Sequence, residues 1–209
     1  MNLKCLFFSI LFISGISSVA QINGRILSKS EVPKNIKVMG NLKSAITWKE
    51  KNGEFLVILT ESGNIEIQKS EEGLMKAELR AYCFQKNPQS YTQKWMVYDF
   101  EEPCPFDLEV SFLKNTLQIT DLDQNGIAEI WLGYKLSCRS DVSPSELKII
   151  MYEGQKKYAM RGKTKVNLSE TETLGGEYKF DNAFINGQSI YRNFAKNIWS
   201  KNVNETWGE

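Results

Sequence analysis

The sequence predicts a mainly β, β-rich α+β protein, built from antiparallel meander sheets with one C-terminal helix. Three features carry that expectation. Apolar residues recur with a period of two through most of the segment from Glu54 to Gly162, as in EFLVILT, AELRAYCFQ and LEVSFL. Turn-forming residues punctuate these runs at hairpin distances, with no long helix between successive strands, which argues against a Rossmann-like sheet. A helical apolar spacing stands out near the C-terminus, at Phe184, Ile185, Ile190, Phe194 and Ile198.

The elements follow in chain order. Residues 1–20 read MNLKCLFFSILFISGISSVA. Lys4 supplies a positive start, an apolar stretch runs from Cys5 to about Ile16, and Ser18-Val19-Ala20 offers small residues for cleavage before Gln21. This pattern is a secretory signal peptide. The apolar run is well short of the roughly 20 residues that cross a bilayer, so cleavage near Ala20 and export to a periplasmic or extracellular space are expected. Residues 21–45 are polar and weakly patterned, and are read as a segment preceding one domain over residues 46–203.

Within that domain EFLVILT and NIEIQK flank Glu61-Ser62-Gly63, a hairpin signal. AELRAYCFQ and KWMVYDF flank the turn-forming KNPQSYTQ. LEVSFL and TLQIT are separated by Lys114-Asn115. IAEIWLGYKLSC follows the polar loop DLDQNG, with Ile130, Leu132, Tyr134 and Leu136 on one face. LKIIMYE and KYAMRG are joined by Gly154-Gln155-Lys156. Between two strands, Ser143, Pro144 and Glu146 have the spacing of a capping box and suggest one helical turn. The C-terminal helix is expected over about 187–200, with Gly187 at its start.

Composition narrows the chemistry. Lys and Arg total 26 against 25 Asp and Glu. Removing Lys4 with the leader brings the balance to zero, which gives no support to a nucleic-acid or anionic-membrane partner. No later run is long enough to span a membrane. Histidine is absent, which excludes Ser-His-Asp and Cys-His catalysis and His-ligated metal sites. A pair of carboxylates of the glycosidase kind needs only Asp and Glu and stays open.

Three cysteines remain after the leader. Cys83 shares a strand face with Leu79 and Ala81 and reads as a small core residue. Cys104 sits between two prolines in EEPCPFD, and Cys138 ends an apolar strand. In an oxidising compartment the expected pair is Cys104–Cys138, leaving Cys83 free; the other reading is three reduced thiols.

The stretch DLDQNGIAE carries the most specific chemistry. Oxygen-bearing side chains at alternate positions of a tight loop can point inward on a hard cation, and glycine at the sixth position permits the sharp turn. Asp121, Asp123, Asn125, the backbone carbonyl of Ile127 and Glu129 form the expected ligand set for a structural Ca2+. Magnesium suits the site less, because it demands stricter octahedral geometry. The flanks are strands and the twelfth position is Leu132, so this is not an EF-hand. The other reading is a polar turn with Asn-Gly at its tip.

The D-x-D-x-N-G-x-x-E spacing resembles the short calcium loops of FG-GAP and related extracellular β repeats, over about residues 117–135, though a single copy is visible here. A wider resemblance covers about residues 94–162. Its residues are Asp121-Leu122-Asp123, Glu129, Cys138-Arg139, Asp141-Val142-Ser143-Pro144, Met151-Tyr152-Glu153, Lys157-Tyr158-Ala159 and Arg161-Gly162. These are similar to a family of exported bacterial proteins named for surface polysaccharide biosynthesis. The resemblance implies a part in surface glycan assembly and implies no reaction. The expected role is that of a non-catalytic accessory protein of the cell envelope, with surface glycan or envelope proteins as partners. The alternatives are a glycan-binding module and a carboxylate-dependent glycan-processing enzyme. Trp48, Trp95, Trp131, Trp199 and Trp207 could stack on a sugar. Trp131 is the leading contact, since its neighbours Ile130 and Leu132 should face inward. Arg139, Asp141 and Glu153 are either site residues or a salt-bridged loop.

Overall fold

The computed structural model describes residues 22–68 and 73–205. The expected leader and Trp207 lie outside the described residues. The strands in chain order are β1 (Arg25–Ile26), β2 (Asn41–Glu50), β3 (Gly53–Glu61), β4 (Ile65–Glu66), β5 (Met75–Lys86), β6 (Tyr91–Cys104), β7 (Asp107–Phe112), β8 (Gln118–Thr120), β9 (Glu129–Arg139), β10 (Glu146–Glu153), β11 (Lys156–Lys163), β12 (Lys165–Asn167), β13 (Thr173–Gly175) and β14 (Tyr178–Phe180). Two helices close the chain, α1 (Asn182–Asn186) and α2 (Ser189–Asn202).

The expected β-rich architecture is present. One six-stranded antiparallel sheet runs β1-β2-β3-β5, with β4 and β6 also paired to β5; a second runs β14-β11-β10-β9-β7, with β8 also paired to β9. β12 and β13 form a separate ribbon. The two large sheets pack face to face. Val57, Leu59, Leu79, Ala81, Cys83 and Val97 of the first meet Ile130, Leu132, Tyr134, Leu136, Ile150 and Ala159 of the second in one buried cluster. The alternating face read for β9 is therefore its inner face.

Each sheet is covered on its other side as well. On the second sheet, Trp131, Ile149, Met151, Tyr158 and Met160 pack against Phe184, Tyr191, Ala195, Ile198 and Trp199 from the helices. The helical residues recur at intervals of three to four, which lines one face of α2. On the first sheet, Ala45, Leu56, Ile58, Tyr82 and Phe84 are covered by Leu27, Val32, Ile36 and Val38. The order is thus N-terminal segment, sheet, sheet, helices. Double coverage explains why β3 and β10 read as nearly unbroken apolar runs.

The structure corrects or adds to the sequence reading in four places. The polar segment expected to precede the domain is, over residues 22–45, part of it: Ile22 enters the main core, β1 pairs with β2, and the segment seals the first sheet. The strand β2 was hidden by its polar start, although Lys51-Asn52-Gly53 is a hairpin turn with Gly53 at φ 125°. Residues 143–145 form no helical turn and lead into β10: Ser143 N–H donates to Asp141 at 2.8 Å, and Ser145 N–H donates to Thr164 Oγ1 at 2.8 Å. The helix expected over about 187–200 is present as α2, and an additional short helix, α1, precedes it from Asn182, where Asp181 caps it by accepting from Phe184 N–H. Gly187 ends that short helix and does not begin the long one. A Cβ there would sit 2.8 Å from the Ala183 carbonyl oxygen.

A covalent tie and a polar tie hold the sheets together. Cys104 at the end of β6 is bonded to Cys138 in β9, with Cα atoms 5.6 Å apart, and Cys83 is free and buried. Asp99 of β6 accepts from Tyr134 of β9 at 2.9 Å and from Lys148 of β10 at 2.7 Å.

Candidate metal centre

The loop of residues 121–128 is the connection of the β8–β9 hairpin, closed at its base by the pairing of Thr120 with Glu129. Its turn needs two left-handed residues, Gln124 at φ 58° and Gly126 at φ 77°. The side chains reinforce that path locally. Asn125 N–H donates to Asp123 Oδ1 at 3.2 Å, Ile127 N–H to Asn125 Oδ1 at 2.7 Å, and Gly126 N–H to Asp121 Oδ2 at 3.1 Å.

The fold brings Asp121, Asp123 and Glu129 together, with one carboxylate oxygen of each within 4.8 Å of the others. At an effective dielectric of about 20, charges at that spacing repel by about 3 kcal/mol per pair. Glu129 is fully buried. Its oxygens accept from Leu122 N–H at 3.0 and 2.9 Å and from Thr120 Oγ1 at 2.7 Å. Burial pushes its carboxyl above the ordinary range. The hydrogen bonds from Thr120 and Leu122 oppose that shift, and the neighbouring Asp123 and Asp121 add to it. Asp121 Oδ1 is buried and has no hydrogen-bond partner among the described residues. An unpaired buried carboxylate oxygen facing other carboxylates is costly unless a positive charge joins it.

Of the other expected ligands, Asn125 is not turned with its oxygen to the cluster. Its Oδ1 serves Ile127, while its Nδ2 donates to Asp123 at 2.8 Å and to Glu153 at 2.7 Å. Glu153 therefore borders the cluster. Tyr191 Oη, from α2, donates to Asp123 Oδ2 at 2.8 Å and also lies 3.3 Å from Glu153, and Gln188 Nε2 donates to the same Asp123 oxygen at 2.7 Å. Burial, then the Asp123 hydrogen bond, drives the Tyr191 hydroxyl well above its ordinary pKa, so it stays a donor.

The β2–β3 turn reaches the loop from the other sheet. Lys51 Nζ donates to the Asn125 carbonyl at 2.8 Å, and Ala128 N–H donates to Glu50 at 2.8 Å. The loop thus joins both sheets and the long helix.

Trp131 is a correction. It is fully buried beneath α1 and α2, its ring 4.8 Å from that of Phe194, and so cannot stack on a sugar. Its indole N–H donates to Thr120 Oγ1 at 2.8 Å, and Thr120 in turn donates to Glu129. Trp131 orients a carboxylate of the cluster through one intermediary. The apolar face of the C-terminal helix was the sequence signal for this, since that face needs a sheet to cover. Arg139 and Asp141 lie away from the cluster. Arg139 pairs with Glu205 at 3.3 Å, and the exposed Asp141 accepts from Ser143. Glu205 was not singled out by sequence reasoning, yet its side chain is fully buried between Lys135 and Arg139.

Compared with known proteins, the chain matches no family model, no curated protein and no solved structure.

Proposed function

We propose that this protein is an exported, non-catalytic accessory component of the cell envelope, linked to surface polysaccharide assembly, with its layers braced by a structural Ca2+ at the β8–β9 loop. The carrying observation is the convergence of Asp121, Asp123 and Glu129 around a buried, unpartnered Asp121 oxygen. Those three carboxylates would hold the ion. A cation there neutralises their mutual repulsion and fixes the loop on which β2, β9 and α2 meet. Asn125 and the Ile127 carbonyl complete the set if the Asn125 amide turns over. The envelope role rests on the leader-like N-terminus and on the resemblance over residues 94–162. A disulfide between the sheets suits an oxidising compartment.

The test is thermal unfolding of the mature chain in EGTA and in millimolar calcium. A ligand that binds only the folded state stabilises by about 2.7 kcal/mol at a hundredfold excess over Kd, and extracellular modules bind calcium with Kd of roughly 10⁻⁴–10⁻³ M. The midpoint should rise for the wild type and stay fixed for Asp121→Asn, which is isosteric. Equal shifts for the two proteins would reduce the loop to a polar turn.

A further inference from the structure

Besides Asp121 Oδ1, three buried side-chain atoms have no hydrogen-bond partner among the described residues: Thr60 Oγ1, Ser145 Oγ and Trp95 Nε1, of which the last lines a cavity. Trp95 is 7% exposed. Its ring stacks on Tyr152 at 4.0 Å. Trp95 lines a cavity of about 210 Å³ that enters the space between the two sheets, bordered by the β2–β3 and β10–β11 turns. An indole N–H can only donate, and leaving it buried without an acceptor is costly.

The lining defines what would fit. Trp48, Phe55 and Ile130 supply apolar surface, while Glu50, Gln85 and Lys94 supply polar groups. Glu50 and Lys94 carry opposite charges, so these walls favour a neutral molecule. The volume is far more than one water needs, and lies below the roughly 300 Å³ at which drug-sized ligand sites begin. It therefore suits one ring. The rim groups already have protein partners, Glu50 accepting from Trp48 and Ala128, Gln85 donating to the Asn52 carbonyl and Lys94 donating to Gln85. The unmet demand is that of Trp95 Nε1, which a flat hydrocarbon ring would leave unmet. A ring bearing hydroxyls would offer Trp95 Nε1 an acceptor and could add bonds to the Glu50 carboxylate and the Lys94 ammonium, while laying its C–H faces on the aromatic walls. The larger groove beneath the N-terminal segment, about 610 Å³, makes no comparable demand, because none of the buried polar atoms without a partner among the described residues lies on its lining, and its charges are paired: Arg25 with Glu31, and Glu54 with both Lys49 and Lys86.

We infer that this inter-sheet cavity binds a single neutral pyranose ring, with a ring or hydroxyl oxygen accepting from Trp95 Nε1. This gives the protein a monosaccharide-binding site separate from the acidic loop, and it stands whether or not that loop takes a cation.

The test is nuclear magnetic resonance of the folded, 15N-labelled mature chain. The Trp95 indole N–H signal is identified by its loss in Trp95→Phe. The probes are the methyl glycosides of glucose, galactose and mannose, with benzyl alcohol as a flat-ring control. At least one pyranoside should shift the Trp95 signal saturably, and Trp95→Phe should weaken its binding at least tenfold by calorimetry. If that variant does not fold, the signal is assigned from its through-space contacts to the Tyr152 ring, 4.0 Å away, and the wild-type titration decides. The inference is overturned if no pyranoside moves the signal at tens of millimolar, if benzyl alcohol alone moves it, or if Trp95→Phe binds as tightly as the wild type. The calcium response of Asp121→Asn is read separately, so failure of one site leaves the other decided on its own data.

Discussion

Replacing Glu205 by glutamine should destabilise the protein by about 3 kcal/mol at neutral pH and by almost nothing near pH 2. The side chain is fully buried, with Oε1 3.0 Å from Lys135 Nζ and 3.3 Å from Arg139 Nη2, and Thr164 Oγ1 donates to its other oxygen. Burial raises the carboxyl pKa, but the bonds from Arg139, Thr164 and Lys135 outweigh it and hold the group at about 2, against an ordinary 4.5. Each unit of difference between folded and unfolded states is worth about 1.4 kcal/mol, giving about 3 kcal/mol. That agrees with the about 3–5 kcal/mol lost when one partner of a buried ion pair is removed. Because the folded pKa is depressed, the contribution is complete above the unfolded value and is lost as pH falls from about 4.5 towards 2. Glutamine keeps the shape and abolishes the titration. Urea unfolding of both proteins, followed from pH 7 to pH 2, reads the difference directly, because urea does not screen charge. A gap that stays constant across that range, or that never exceeds about 0.5 kcal/mol, would refute the reasoning.

Two other perturbations probe the frame around the sites. Gly162→Ala would place a Cβ 1.9 Å from the Glu177 carbonyl oxygen and 2.7 Å from Tyr178 Cα, both backbone atoms of the neighbouring segment. It should cost at least about 1–3 kcal/mol by forcing β14 away from β11, and an unchanged melting midpoint would show that β14 is not held there. The double variant Cys104→Ala with Cys138→Ala opens a loop of sequence separation 34, worth about 3.8 kcal/mol in chain entropy. Equilibrium unfolding should show that loss, and a variant as stable as the oxidised wild type would mean that the cross-link does not constrain the unfolded chain.

What could be read from the sequence was whatever is encoded by neighbours along the chain. Two-fold alternation located nine strands, because alternation is a property of one segment. The D-x-D-x-N-G-x-x-E spacing brought three carboxylates together, because one tight loop carries all of them. Cys104 and Cys138 were paired from their turn and strand contexts, and the structure joins them. The failures share the opposite cause. Trp131 looked exposed because Ile130 and Leu132 claimed the inner face, and nothing within β9 announces that a helix some 60 residues later covers the other. Asn125 looked like an oxygen ligand, yet Glu153 of β10 draws its amide nitrogen across. Glu205 sits in NVNETWGE, which reads as a frayed tail; its partners Thr164, Arg139 and Lys135 stand between 41 and 70 positions away. The acidic loop and the Glu205 socket are thus two answers to one problem. At Glu205 the buried carboxylate meets an ammonium, a guanidinium and a hydroxyl supplied by the fold, and its acidity rises. At Glu129 the fold supplies only an N–H and a hydroxyl and adds two more carboxylates, and its acidity falls. The Ca2+ proposed above would supply at Glu129 the positive charge that Lys135 and Arg139 supply at Glu205.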